Sequence, residues 1–400
     1  MQGGRAEIVV AGHTCLDIIL TPAAGGSRGE EILVPGKLID VGASVVTTGG
    51  AVPNTGRALH RLGVPTRLVG KVGNDLFGRA VLEILREDAP ALAEGMLIAQ
   101  DAPTSYTVVI NPPGLDRIFL HCPGANDTFG SADVPYDRLD GAKLFHFGYP
   151  PLMRRMFSHD GAELVALLRQ VKAAGVTASL DMAKPDPTSE AGKAPWLEIL
   201  KRALPYVDVF LPSVDEILFM LDRERFDRMG PAMASGVDGP LLRDLSDRLL
   251  SMGAAIVVLK LGPEGLYLRT TTESRRLDAM GSCAVNSTQA WLGRELLAPC
   301  FLADVSGTTG AGDCTIAGFL AGLTAGLGPE DTMTSAVAVG ACSVEKADAT
   351  SGIPTWEQVR ARMAKRWERR PVSLDLKGWR WDEGISLWRG PGDSGQSADT

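Results

Sequence analysis

Asp313 ends the run Ser306-Gly-Thr-Thr-Gly-Ala-Gly-Asp313, after which Ile316, Phe319, Leu320 and Leu323 repeat as one apolar helical face. A glycine-bearing turn feeding a helix leaves several first-turn N–H groups without helical acceptors, all pointing the same way. With the positive end of the helix dipole they make an anion site, here from the amides of Gly310, Ala311 and Gly312. A carboxylate beside those amides works against simple phosphate binding, because like charges repel. It is useful where a hydroxyl must surrender its proton while the amides hold charge gathering on a phosphoryl group. Phosphoryl transfer asks a protein for little beyond positioning, charge neutralisation and a base. The plainer reading makes Asp313 the N-cap of an ordinary helix, and the stretch alone fits both.

Other polar residues lie where such chemistry needs an acceptor site. Asp17 follows the β-rich run 7–12, at the strand end where open α/β sheets bind ligands; a turn residue would look the same. Gly49-Gly50 precede a helical stretch with Leu59 and Leu62, and two glycines permit close approach of backbone to a ligand. Asn54, in that stretch, could exchange hydrogen bonds with hydroxyls or simply sit in the first helical turn. His13 and His121 read as packing or rim residues, since Asp313 already supplies a base.

These residues need a scaffold, and the chain's alternation supplies one. From residue 143 onward, strands at 143–147, 177–180, 207–211 and 254–260 alternate with helices at 161–174, 196–203, 216–221 and 241–252. That order means βαβ units and a parallel sheet. Earlier, 67–73 reads as a strand and 74–85 as a helix. Residues 18–48 and 104–120 carry β-type runs without helical period, including 32–34, 44–47 and a hairpin across Asn111-Pro-Pro-Gly114. Three segments break the pattern: a charged stretch at 223–239, an aperiodic one at 270–297 that reads as a β excursion with a long surface loop, and the C-terminus. There a helix from 331 to about 347 and a basic helix from about 356 to 370 precede a tail. Four of the seven tryptophans, Trp367, Trp379, Trp381 and Trp388, fall at or near that tail. Tryptophan is costly to leave in water, so part of residues 371–400 should dock, while 391–400 reads as disordered.

With 45% apolar and 22% charged residues, the 400-residue chain describes a globular protein with ample core. Its net charge of −8 argues against a general nucleic-acid surface. Six scattered cysteines without CxxC or Cys/His clustering suit reduced thiols of a cytoplasmic protein. No signal region and no run of eighteen apolar residues is present, so neither export nor a membrane partner is expected.

Taken in order, Asp17, Gly49-Gly50 with Asn54, Gly124-Ala-Asn126, Pro212-Ser-Val-Asp-Glu216, Lys260-Leu-Gly-Pro-Glu-Gly265 and Thr308-Thr-Gly-Ala-Gly-Asp313 resemble the ribokinase-like (PfkB) family of carbohydrate kinases. The resemblance covers roughly residues 7–365. It implies an α/β three-layer sandwich, a central mostly parallel sheet flanked by helices, within one kinase domain over 1–370. A small β lid over the sugar site would come from about 18–48 and 104–122. The implied activity is ATP-dependent transfer of the γ-phosphoryl group to a hydroxyl of a small sugar. Asp313 matches the catalytic base and the Gly310, Ala311 and Gly312 amides the anion hole. Asp17, Gly49, Gly50 and Asn54 match the sugar-binding positions. Ser213, Lys260, Gly262, Gly265 and Thr308 match the nucleotide side, and Glu216 matches the acid that orders water on Mg²⁺. A strongly hydrated Mg²⁺ held by few carboxylates plus substrate phosphates is that ion's habit. Family members often pair through their lids, so a homodimer is also implied.

Two positions depart from the family pattern. Ser213 stands where Asn is usual, and Gly307 stands where an Asp often helps hold a monovalent cation. Potassium activation is thereby in doubt, unless Asp304 or backbone carbonyls substitute. Glu216 as a solvated helix carboxylate, and Lys260 as a solvated strand-end lysine, remain open. So do two other functions: a nucleoside kinase with Phe119 or Tyr149 walling the base, and a catalytically silent binding protein on the same fold.

Overall fold

A computed structural model describes residues 6–21, 35–111, 118–230 and 236–395. Aliphatic and β-branched runs form a ten-stranded sheet. Six of its strands are parallel: β4 (Thr66–Val69), β1 (Ile8–Gly12), β9 (Leu144–Gly148), β10 (Thr177–Leu180), β11 (Val209–Phe210) and β12 (Ile256–Lys260), in that spatial order. Antiparallel strands continue from β12: β13 (Leu266–Thr270), β14 (Glu295–Ala298), β16 (Leu387–Arg389) and β15 (Arg380–Asp382).

Both faces of the sheet are buried, which is why its strands read as continuous apolar runs. Ile8 and Val10 of β1 enter one core and Val9 and Ala11 the other, as the two-residue period of a strand requires. The first core packs under α1 (Ala51–Arg61), α2 (Leu76–Asp88), α11 (Ala311–Thr324) and α12 (Pro329–Ser343). The second packs under α4 (Arg154–Ala173), α5 (Trp196–Ala203), α6 (Val214–Leu221) and α8 (Gly239–Ser251). Short helices α3 (Pro90–Ala93), α7 (Arg223–Met229), α9 (Ser274–Asp278), α10 (Thr288–Trp291) and α13 (Trp356–Met363) complete the layers. The architecture is the expected α/β one, a large mostly parallel sheet between helical layers.

A four-stranded sheet stands apart from the main one: β3 (Val45–Gly49), β2 (Cys15–Leu20), β7 (Tyr106–Ile110) and β8 (Ile118–Cys122). A two-stranded ribbon, β5 (Lys71–Gly73) with β6 (Leu97–Ala99), accompanies it. The 32–34 run, most of the 111–114 turn and residues 396–400 fall outside the described residues.

Several expectations need correction. Asp17 is not a turn residue after β1; it lies within β2, paired to Thr47 of β3 and Thr107 of β7. The 270–297 stretch is not one long surface loop, because α9 and α10 bury Leu277 and Trp291 between β13 and β14. Helices of four or five residues are too short to show a period. The basic helix stops at Met363, and at Arg366 the backbone turns left-handed (φ 55°). The tail then adds β15 and β16 to the sheet edge, setting Trp379 against Tyr267 and Trp381 against Trp388. Residues 391–395, read from sequence as disordered, are held: Asp393 accepts hydrogen bonds from Arg294 and the Glu295 N–H, and Ser394 donates to the Leu292 carbonyl.

Candidate active site

The site is built where β2, α1, β9 and α11 converge. At the N-terminus of α11, Gly310 is the N-cap in the left-handed region (φ 70°), and a Cβ there would lie 2.4 Å from the Ala349 Cβ. Only glycine meets both demands. Asp313 is therefore not the N-cap but the third helical residue, and its carboxylate caps nothing. It is 2% exposed and accepts three contacts: Asn54 Nδ2 at 2.9 Å on Oδ2, and the Tyr149 hydroxyl at 2.9 and 3.0 Å on Oδ1 and Oδ2. Burial raises its pKa above the ordinary carboxylate range; the Asn54 bond, the Lys260 charge and the Tyr149 bond oppose that. Of the three amides expected at the anion hole, that of Ala311 turns to the Thr308 carbonyl at 3.3 Å. The first-turn position of Gly312 leaves its N–H without an intrahelical acceptor.

Asp17, Gly50, Asn54, Thr308, Gly310 and Asp313 share the wall of one cavity of about 870 Å³. Gly49 is needed behind Asp17, since a Cβ at Gly49 would sit 2.1 Å from the carboxylate. Asp17 is 7% exposed and accepts from the Cys15 thiol at 3.2 Å; burial raises its pKa. Thr107 links Cys15 (3.7 Å) to the His121 ring nitrogen Nδ1 (3.0 Å). His13 is 1% exposed with neither ring nitrogen bonded among the described residues, and burial pushes its pKa well down. Its ring lies 5.2 Å from that of His121 and 6.0 Å from that of Tyr149. Both histidines line the cavity, and burial lowers the pKa of His121 as well. Asn54 Oδ1 is likewise buried with no partner among the described residues, an acceptor suited to a hydroxyl.

Of the residues expected on the nucleotide side, Thr308 lines the cavity just described, while Ser213 and Lys260 lie together beside Gly312. Lys260 ends β12 and is not a solvated lysine: its ammonium pairs with Asp181 at 2.6 Å, and its side chain packs beside Gly312. Burial works against that charge, but Asp181 and Glu216 outweigh it and hold the Lys260 pKa above its usual value. Ser213 bridges to Lys260 and opens α6 as its N-cap, where Glu216 accepts the Ser213 N–H at 2.6 Å. Glu216 is thus half-buried in a capping box. The loss of the family Asn at 213 leaves the helix start intact. Gly262 and Gly265 form the turn from β12 to β13, with the Leu261 N–H on the Gly265 carbonyl.

A hydrated Mg²⁺ fits this neighbourhood: Asp181 Oδ2 is buried with no partner among the described residues, and Glu216 lies beside the same lysine. No cluster of three or more potential metal ligands occurs among the described residues. Any such ion would depend mainly on water and phosphate oxygens. At Gly307 a Cβ would stand 2.9 Å from the Ala347 carbonyl oxygen, so the loop has no room for the side chain the family often carries there. Asp304 is exposed.

Sequence reasoning missed the bond from Tyr149 to Asp313, the Asp181–Lys260 pair and the Cys15–Thr107–His121 chain. Asp181 was visible as the polar residue ending β10. Tyr149 stood out in the sequence only as an aromatic wall for a nucleoside base, and nothing local tied it to Asp313, which it reaches across 164 residues of sequence.

The family model for pfkB carbohydrate kinases matches residues 5–356. Fructokinase-2 of Oryza sativa subsp. japonica is 30% identical over 198 residues, 48% of this chain and 56% of that protein. The 2-dehydro-3-deoxygluconokinase of Bacillus subtilis is 24% identical over 78% of this chain and 84% of its own length. Among solved structures, an E. coli ribokinase II in complex with ATP and Mg²⁺ superposes with a TM-score of 0.63, at 20% identity, over 90% of this chain and all of that one.

Proposed function

This chain belongs to the pfkB family of carbohydrate kinases, a phosphotransferase for sugar hydroxyls, and we propose that it transfers the γ-phosphoryl group of ATP to a hydroxyl of a small sugar. The observation that carries this reading is the placement of Asp313: a buried carboxylate in the first turn of α11, facing a cavity it shares with Asp17 and Asn54.

In this reading Asp17 and Asn54 Oδ1 hold the acceptor's hydroxyls. Asp313 takes the proton of the attacking hydroxyl as its oxygen bonds to the γ-phosphorus and the bond to ADP breaks. The Gly312 N–H in the first turn of α11 and the Lys260 ammonium stabilise the charge that builds on the phosphoryl oxygens. Gly262 and Gly265 let the nucleotide lie close, with Ser213 and Thr308 at its edges. Mg²⁺, held through water by Glu216 and Asp181, would neutralise phosphate charge. Exposed Val45, Val46, Phe119 and Leu120 on the small sheet support pairing of two copies there.

The test is ATP consumption by the full chain over a panel of neutral sugars, sugar acids and nucleosides. Turnover with at least one sugar is expected. Turnover with nucleosides alone would favour the nucleoside reading, for which Phe119 in the same cavity wall is the relevant side chain. Silence on every acceptor would leave a binding protein on a kinase fold.

A further inference from the structure

Tyr149 holds a strained position for a purpose the kinase reading does not use. It follows Gly148 at the end of β9, and its backbone is left-handed (φ 64°, ψ 44°). An aromatic residue adopts that conformation at a cost of about 1 kcal/mol or more, and such residues cluster at functional sites. From there the phenol makes two contacts, 2.9 and 3.0 Å, with the two oxygens of Asp313. Asn54 takes a further lone pair on Oδ2. A carboxylate offers about four such sites in all. The single phenol proton shared between the two oxygens, with the Asn54 amide beside it, thus leaves little of the carboxylate open to an acceptor hydroxyl from the cavity that Tyr149 also lines.

Resting on the kinase reading, we propose that Tyr149 guards the base: in the sugar-free enzyme its phenol occupies the lone pairs of Asp313 that would otherwise activate water, so that ATP is not hydrolysed until a sugar displaces it. The suppressed reaction is ATP plus water giving ADP and inorganic phosphate. The water oxygen would bond to the γ-phosphorus, the bridging P–O bond would break with its electron pair leaving on ADP, and the water proton would pass to Asp313. Water brings to the exchange no contact beyond those it makes at the carboxylate itself. A sugar brings several hydroxyls at once, to Asp17, to Asn54 Oδ1 and to the unbonded ring nitrogens of His13. Binding energy gathered away from the reacting atom thus frees the base only when the right acceptor is present. Tyr149 acts through Asp313 and is a positioning residue.

The test is Tyr149→Phe in the full chain, with Mg²⁺–ATP and no sugar. Basal phosphate release should rise about tenfold to a hundredfold, the factor carried by one hydrogen bond to a charged group. The acid limb of the pH–rate profile should also move to higher pH, because a donor that favours the ionised carboxylate is gone. A variant that folds, judged by its melting temperature, yet hydrolyses ATP no faster than the parent overturns the guard. A second measurement stands even if the variant does not fold: a structure of the parent with acceptor bound should show the phenol withdrawn from at least one Asp313 oxygen, and both contacts retained would overturn the proposal. Should the parent phosphorylate no sugar at all, the kinase reading goes first and the guard with it. Sugar turnover without a rise in basal hydrolysis sinks the guard alone.

Discussion

The side-chain amide of Asn54 lies 2.9 Å from Asp313 Oδ2, joining α1 to α11 across 259 residues of sequence. In the proposed mechanism this one amide would serve base and acceptor alike: its Nδ2 would steady Asp313, while its Oδ1, without a partner among the described residues, would meet the acceptor. Replacing Asn54 with Ala should raise the sugar KM and lower kcat/KM by about tenfold or more, the worth of a hydrogen bond to a charged group. Because the amide favours the ionised carboxylate, its loss should also move the acid limb of the pH profile upward. An unchanged sugar KM would remove Asn54 from the acceptor site.

Asp313→Asn should lower kcat by about 10²–10⁴, the usual share of a general base, and leave ATP affinity nearly intact. In the parent, activity should fall as pH drops through the raised pKa of Asp313, above the roughly 3.9 of a free aspartate. The same shift carries a stability sign. A carboxyl whose folded pKa lies above its unfolded one favours folding most below the unfolded value and loses that contribution as pH rises through the folded pKa. At neutral pH the neutral Asn variant should therefore melt about 1–3 °C higher than the parent, a gap that closes below pH 4. Calorimetry across pH would show this, and a variant less stable at pH 7 would contradict it.

Much of this site was legible in the chain because its parts are local. Gly310-Ala-Gly312 before an apolar helical face marks α11, and the β-branched run 8–12 marks a central strand. The parts that were not legible are contacts between distant segments. Tyr149 reaches Asp313, and Lys260 reaches Asp181, only after β9, β10 and β12 stand side by side. Asp17 was placed correctly in chain order but on the wrong element, since Gly12-His-Thr-Cys15 carries no sign that the chain crosses from the main sheet to the small one. The tail's strands are three residues each, below the length at which alternation can be read.

Lys260 and Asp181 make a buried ion pair beside the first turn of α11. Lys260→Met should cost kcat about 10²–10³, the typical price of one preorganised group at developing phosphoryl charge. It should also destabilise the fold, because Asp181 is fully buried and would lose its partner. Adding Asp181→Asn to Lys260→Met should restore melting temperature without restoring turnover. If the double variant recovered its rate as well, the lysine would be structural only.

Gly307 packs against the Ala347 carbonyl with no room for a side chain, and Asp304 is turned to solvent. Neither position 307 nor Asp304 thus offers a carboxylate to the α11 loop for holding a monovalent cation. Turnover should be the same in potassium as in sodium at matched ionic strength, which must be held fixed because salt itself screens charge. A marked activation by potassium would mean that backbone carbonyls alone build the site.

Asp393 binds the far end of the chain to the sheet: Oδ1 accepts Arg294 Nε at 2.8 Å and the Glu295 N–H at 3.0 Å, and Oδ2 accepts Arg389 Nη1 at 2.7 Å. Arg294 is 3% exposed, so its charge depends on Asp393 and on Glu330, which accepts its Nη2 at 2.5 Å. Burial works against the Asp393 carboxylate, yet the Arg294 bond and charge prevail and hold its pKa below the ordinary range. Its contribution is then present above about pH 4 and lost as pH falls through the folded value. Asp393→Ala should destabilise by about 2 kcal/mol or more in denaturant titration at pH 7, since one partner of a buried charge is removed. Toward acid pH the loss should shrink as the parent's own carboxylate takes up its proton. The pair lies at the edge of β14, away from the α11 turn, so kcat at 25 °C should be retained. A variant as stable as its parent would show that residues 391–395 lie on the sheet without holding it.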